Sequence, residues 1–252
     1  MSQPHISRLS IWEKHESRVI DVLLAALEIL QIKLGLAPSE IDLNRELYFC
    51  LLEANRQQWA MGNGFDHPPI SEAKNPPYPD DVQRARRESK IPDFQWGFID
   101  HTILDPRHSA RYFVFECKRL GKPPRADWVL NENYFYHGIL RFMTEEHGYA
   151  KGEKSGAMVG YIQSMDFEDI LNEVNIAASV ALIPPLTLSK KAWHKQGTYN
   201  LEHILTRPFA LSPFLLLHFW IDLRNCYITS STQLLLNRAS ERDLDQSSST
   251  MN

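Results

Sequence analysis

Two short stretches hold the residue types that can do chemistry: Ile91-Pro92-Asp93-Phe94-Gln95-Trp96-Gly97-Phe98 and Arg111-Tyr112-Phe113-Val114-Phe115-Glu116-Cys117-Lys118-Arg119. Side chains on a strand alternate faces, so Glu116 and Lys118 project one way while Phe115 and Cys117 project the other. An acid and an amine at the end of an apolar strand are costly to bury unless they pair or meet a ligand. A hairpin partner starting at Asp93 brings a second carboxylate near them. Two acids converging with a lysine make a site for a hard divalent cation. Mg²⁺ takes oxygen ligands in near-octahedral geometry and keeps several waters, a demand that Asp93, Glu116 and the backbone carbonyl of Cys117 can meet. Lys118 would then orient or deprotonate the attacking water and offset negative charge developing at a phosphodiester.

A Glu-x-Lys triplet alone also describes an exposed strand edge with a weak ion pair. What raises this one is its position at the end of the Tyr112 to Phe115 run, preceded by a Pro-Asp that opens another aromatic strand. The alternative is a structural Glu116–Lys118 ion pair in an unrelated α/β fold, with Asp93 far away.

The elements that must position these residues show in the periodicity. From Ile11 to Leu34 apolar residues recur at helical spacing, with Gly35 as a stop. A second helix starts at Ser39, a capping residue followed by Glu40 and Asp42, and runs through Leu43, Leu47, Cys50, Leu51 and Ala54 to about Trp59. The chain from Ala60 to Lys90 is rich in Pro and charge and predicts an irregular loop or an edge strand with an insertion. Phe94 to Asp100 and Arg111 to Lys118 read as an antiparallel hairpin with a turn at Asp105-Pro106. Asn131 to Glu146 predicts a helix, Ala157 to Ile162 a strand, Asp166 to Ala178 a helix and Leu215 to Leu223 a buried strand. Ser240 to Asn252 is expected to be a disordered tail.

With these elements in place, Pro92-Asp93 and Glu116-Cys117-Lys118 resemble the PD-(D/E)XK nuclease superfamily, the restriction-endonuclease-like fold. The resemblance implies an α/β fold in which a mixed sheet is flanked by helices in the order α-β-β-β-α-β, with an N-terminal helix and a C-terminal extension outside it. It covers roughly residues 39–162. It implies Asp93 and Glu116 as Mg²⁺ (or Mn²⁺) ligands and Lys118 as the residue that assists the attacking water. A further acid often comes from the first core helix, where Glu46 is favoured over Glu53 because its neighbour Leu47 faces the core. The segment Glu116 to Leu120, Tyr134, Gly138-Ile139-Leu140-Arg141-Phe142 and Gly160-Tyr161 is similar to uncharacterised nucleases of prokaryotic antiphage defence loci. Arg119, Arg141 and Tyr134 are the expected nucleic-acid contacts, a guanidinium fork suiting a phosphate; an Arg141–Glu145 pair is the competing reading. Asp100, His101 and His108 near the turn are weaker candidates for a general base.

Composition sets the outer bounds. The 252 residues, 43% hydrophobic and 23% charged, are enough for a full hydrophobic core and typical of an ordinary globular chain. No apolar run approaches the roughly 20 residues a transmembrane helix needs, and the first residues do not form a secretory leader, so the expectation is a cytoplasmic protein without a membrane partner. Cys50, Cys117 and Cys226 are too few and too scattered for a disulfide framework or zinc cluster. The net charge of −4 gives no global pull toward nucleic acid, although residues 84–125 hold a local excess of Arg and Lys. The expected organisation is an N-terminal helix at 1–37 as a possible partner-docking element, a nuclease-like domain at 38–238 and a tail at 239–252. The expected activity is Mg²⁺-dependent hydrolysis of phosphodiester bonds, with DNA favoured over RNA, in a chain that works with a protein partner or as a homo-oligomer. The rival is a catalytically inactive member of the same fold acting in assembly.

Overall fold

A computed structural model describes residues 10–79, 81–124, 129–190 and 197–227. The two N-terminal helices are set by their caps. The Ser10 hydroxyl accepts the Glu13 N–H while the Glu13 carboxylate accepts the Ser10 N–H, starting α1 (Ile11–Gln31). Ser39 accepts the Asp42 N–H and starts α2 (Glu40–Ala60). Gly35, in the link between them, adopts φ +77°, a left-handed conformation that L side chains resist.

The rest of the chain builds an α/β structure around one seven-stranded mixed sheet in the order β1-β2-β3-β4-β7-β6-β5. Its strands are β1 (Ile70–Ser71), β2 (Phe94–Ile99), β3 (Ala110–Leu120), β4 (Ser155–Ile162), β5 (Thr187–Leu188), β6 (Thr198–Leu205) and β7 (Phe214–Asp222). A one-turn helix, α3 (Arg84–Arg87), precedes β2. β2 and β3 form the expected antiparallel hairpin, whereas β3, β4 and β7 run parallel and need crossover connections. The first crossover holds α4 (Leu130–Tyr134), a π-helical turn at Phe135–Ile139 and α5 (Leu140–Met143). The second holds α6 (Phe167–Val180) and the β5–β6 pair.

Alternation along the central strands divides the core in two. Phe115 and Cys117 of β3, Val159 and Tyr161 of β4, and Leu217, Phe219 and Ile221 of β7 pack under α1 and α2. Val114 and Leu120, Met158, and Leu216 and Trp220 pack under α4 to α6. All eight residues of β4 are buried, as expected of a strand paired on both sides and covered on both faces.

Several expectations change. The apolar face of α1 lies inside the fold, with Val19, Val22, Leu23, Ala26 and Leu30 fully buried, so it is not a free docking face. The first core strand is only two residues long. The described residues between 72 and 90 are tied by side chains: Asn75 donates to the carbonyls of Arg87 and His147, and Asp81 bridges Arg87 and Lys151. The helix expected at 131–146 is broken by the π turn and stops at Met143. β6 has no counterpart among the expected elements. Arg125 and the tail at 239–252 lie outside the described residues. All three cysteines are buried free thiols. Among the described residues no helix is long and apolar enough to cross a membrane.

Candidate metal centre

The site forms where two strands part. β2 pairs with β3 only as far as Phe94↔Phe115, while β3 continues to Leu120 with its other edge on β4. At the divergence Pro92 has no N–H to offer, and Asp93 takes over the role of the ladder with its side chain. Its Oδ2 accepts the Cys117 N–H at 2.7 Å, and its own N–H points to Glu116 Oε2 at 3.4 Å. The acid and the strand that follows it are thereby locked in register.

Lys118 Nζ lies at the centre of this gap. Around it are Glu40 Oε1 at 2.7 Å, the Cys117 carbonyl at 2.8 Å, Glu116 Oε1 at 2.9 Å and Asp93 Oδ2 at 3.8 Å. Glu116 is completely buried, and its Oε1 also accepts from Arg141. Three carboxylates thus face two cations. Burial and the charge of Glu116 push the Asp93 carboxyl up to about 7, against which Lys118 acts. Burial works against the Lys118 ammonium, but Glu116, Asp93 and Glu40 outweigh it and hold the amine well above the ordinary lysine range. Lys118 is therefore held as a cation and donor at the centre of the cluster.

Arg141 reaches Glu116 because of the π turn. Gly138 lies in that turn, and a Cβ there would clash with Met158 Cε and meet Lys118 Cγ at 3.4 Å, so the missing side chain lets the helix lie against β3 and β4. The extra residue of a π turn rotates the next helical turn about its axis, and here that turn is α5, which carries Arg141. Glu116 sustains the Arg141 charge against burial, and Tyr149 stands beside the guanidinium.

The structure brings Asp93, Glu116, Lys118, the Cys117 carbonyl and Arg141 together. It does not bring Glu46, which pairs with Lys33 at 2.7 Å and lies near Arg45. The helix acid at the site is Glu40. The sequence carries a signal for it: Glu40, Leu43, Leu47, Cys50 and Ala54 lie on one helical stripe, and Glu40 is its first member. Leu47 faces the core, and for that very reason the adjacent Glu46, a hundred degrees round the helix, does not share its direction. Glu53 is partly exposed and paired with Arg56.

Tyr134 is also corrected. It is fully buried, its hydroxyl accepting from Trp220 Nε1 and meeting His218 Nδ1, each at 2.8 Å, so it cannot touch nucleic acid. Arg119 points to the face opposite Lys118, where Nη1 donates to the Pro38 carbonyl at 3.4 Å. Arg141 does not pair with Glu145, since Glu116 holds it. Asp100 is bound to Thr102 and lies near Arg111, and His101 is exposed in the turn. His108 lies 3.9 Å from Asp105 in the turn between β2 and β3.

Among the described residues no group of three or more His, Cys, Asp or Glu side chains is spaced to hold a metal ion, and the oxygens of this site close on Lys118 and Arg141. Their chemistry nevertheless suits Mg²⁺. All four oxygen donors are hard, and the surplus of one negative charge, three acids against two bases, is what an added cation would relieve. In comparisons with protein-family models, curated proteins and solved structures, the chain matches none.

Proposed function

We propose that the chain is a Mg²⁺-dependent nuclease of the PD-(D/E)XK type that hydrolyses phosphodiester bonds of DNA, with an effector role in prokaryotic antiphage defence as its setting and a protein partner or a second copy as its context. The observation that carries this reading is the convergence of Asp93, Glu116 and Glu40 on Lys118 at the point where β2 and β3 diverge. The order α2, β1, β2, β3, α4 to α5, β4, with only the one-turn α3 added between β1 and β2, supports it, since it otherwise follows the α-β-β-β-α-β succession with an antiparallel β2–β3 pair and a parallel β3–β4 pair.

In this reading Asp93, Glu116, Glu40 and the Cys117 carbonyl hold the ion. When bound, Mg²⁺ supplies Lewis acidity toward the phosphoryl group and lowers the pKa of a ligated water. Lys118, fixed as an ammonium, donates a hydrogen bond that orients the attacking water and offsets charge on the phosphoryl oxygens. Arg141, one helix away, is placed to meet a phosphate through its guanidinium fork. Sequence specificity has no reader among these residues.

Incubation of the purified chain with plasmid and single-stranded DNA tests the proposal. Cleavage should require Mg²⁺ or Mn²⁺, stop with EDTA, and fall by about 10²-fold or more in Asp93→Asn and Lys118→Met, the order expected for losing a preorganised electrostatic group. Wild-type rates in both variants would end the assignment. The closure of the acids on internal cations favours a second reading, a nuclease-fold subunit that has lost catalysis and serves in assembly. Calorimetric titration separates the two, because that subunit would take up no Mn²⁺.

A further inference from the structure

Glu116 has no free oxygen. Oε2 faces the Asp93 N–H, and Oε1 accepts from Arg141 and lies 2.9 Å from the Lys118 ammonium. A divalent ion cannot use Oε1 while two cations share it. The two differ in how they are held. The Lys118 ammonium has three other oxygen neighbours, in Glu40, Cys117 and Asp93, and its side chain is buried. The Arg141 side chain is 28% exposed, and Glu116 is the acid that fixes it. It sits on the last turn of the crossover helix, behind the π turn, and its other neighbour there is the neutral Tyr149. Of the two, Arg141 is the one that can leave.

We propose that Arg141 is a displaceable internal counter-ion, which holds Glu116 closed until a divalent cation takes its place and so frees the guanidinium for a phosphate oxygen at the mouth of the site. This rests on the metal-centre reading above and adds a gate to it. An internal competitor lowers apparent affinity by the fraction of molecules in the open state. Removing it should therefore tighten metal binding while slowing cleavage, a pair of opposite effects that loss of a merely structural contact would not produce.

The test is calorimetric titration of the full chain with Mn²⁺, for the wild type, Arg141→Gln, Arg141→Lys and Asp93→Asn, each first checked for an unchanged circular dichroism spectrum. Arg141→Gln should bind Mn²⁺ about tenfold more tightly, Arg141→Lys should stay near the wild type because it keeps a cation, and cleavage by Arg141→Gln at saturating Mn²⁺ should fall about tenfold. Unchanged or weaker Mn²⁺ affinity in Arg141→Gln overturns the proposal; if binding is then still abolished by Asp93→Asn, the metal centre survives without its gate. Absence of Mn²⁺ binding in both wild type and Arg141→Gln overturns the proposal together with the metal centre.

Discussion

Glu40 and Glu46 lie less than two turns apart on α2, yet their surroundings differ completely. Glu40 contacts the buried Lys118, whereas Glu46 forms a half-exposed pair with Lys33 of the kind worth about 0–1 kcal/mol. Glu40→Gln should lower cleavage by about tenfold or more, and Glu46→Gln should leave it unchanged; parallel rate measurements on the two variants check this. Asp93 bears the surplus charge of the cluster, its carboxyl pushed up to about 7 by burial and by Glu116. An acid whose folded pKa exceeds its unfolded value destabilises the fold above the unfolded value, increasingly so as pH rises toward 7. Asp93→Asn removes that penalty while keeping an oxygen for the Cys117 N–H. At pH 8 in EDTA its free energy of urea unfolding should rise, by an amount on the order of 2 kcal/mol, while its cleavage should fall.

The elements that sequence made legible are those whose chemistry and geometry agree. α1 and α2 combine a 3.6-residue apolar period with serine caps, and the hairpin combines aromatic alternation with a Pro-containing turn. β6 escaped because its chemistry is inverted: His203 is buried while Ile204 is 63% exposed, so the polar–apolar alternation contradicts the real inside and outside. The π turn was equally hidden, since nothing in Phe135-Tyr136-His137-Gly138-Ile139 distinguishes it from one more α turn, and its effect is felt only where Gly138 meets Lys118 and Met158. That contact predicts a graded response. Gly138→Ala asks only the flexible end of Met158 to move. Gly138→Val adds branches against the Lys118 stem as well and should cost about 1–3 kcal/mol by overpacking. Thermal melting and cleavage assays on the pair should show Ala near the wild type and Val impaired in both.

Across the whole molecule the sheet is stapled by histidines that must stay neutral. Burial brings His15 and His203 down to about 4 and His218 well below the ordinary histidine value. The unfolded chain binds these protons from about pH 6.5 downward and the native fold does not, so their support is complete above 6.5 and is lost as pH falls toward 4. His15 and His203 each account for up to about 3 kcal/mol. Urea midpoints should decline steadily between pH 6.5 and 4.5, and His15→Gln, which can still donate to the Trp96 carbonyl, should flatten part of that slope.

The position of β4 between β3 and β7 bears on how small a working unit can be made. Residues 39–162 contain every motif quoted for the metal centre, and they look like an excisable cassette. Cut there, β4 would lose β7 along all eight of its paired positions, from Ser155↔Leu215 to Ile162↔Asp222, and would present a naked apolar edge to any neighbouring chain. Such a fragment should appear in inclusion bodies while a chain retaining 10–227 stays in the supernatant, because β7, the last strand among the described residues, is the one that seals the middle of the sheet.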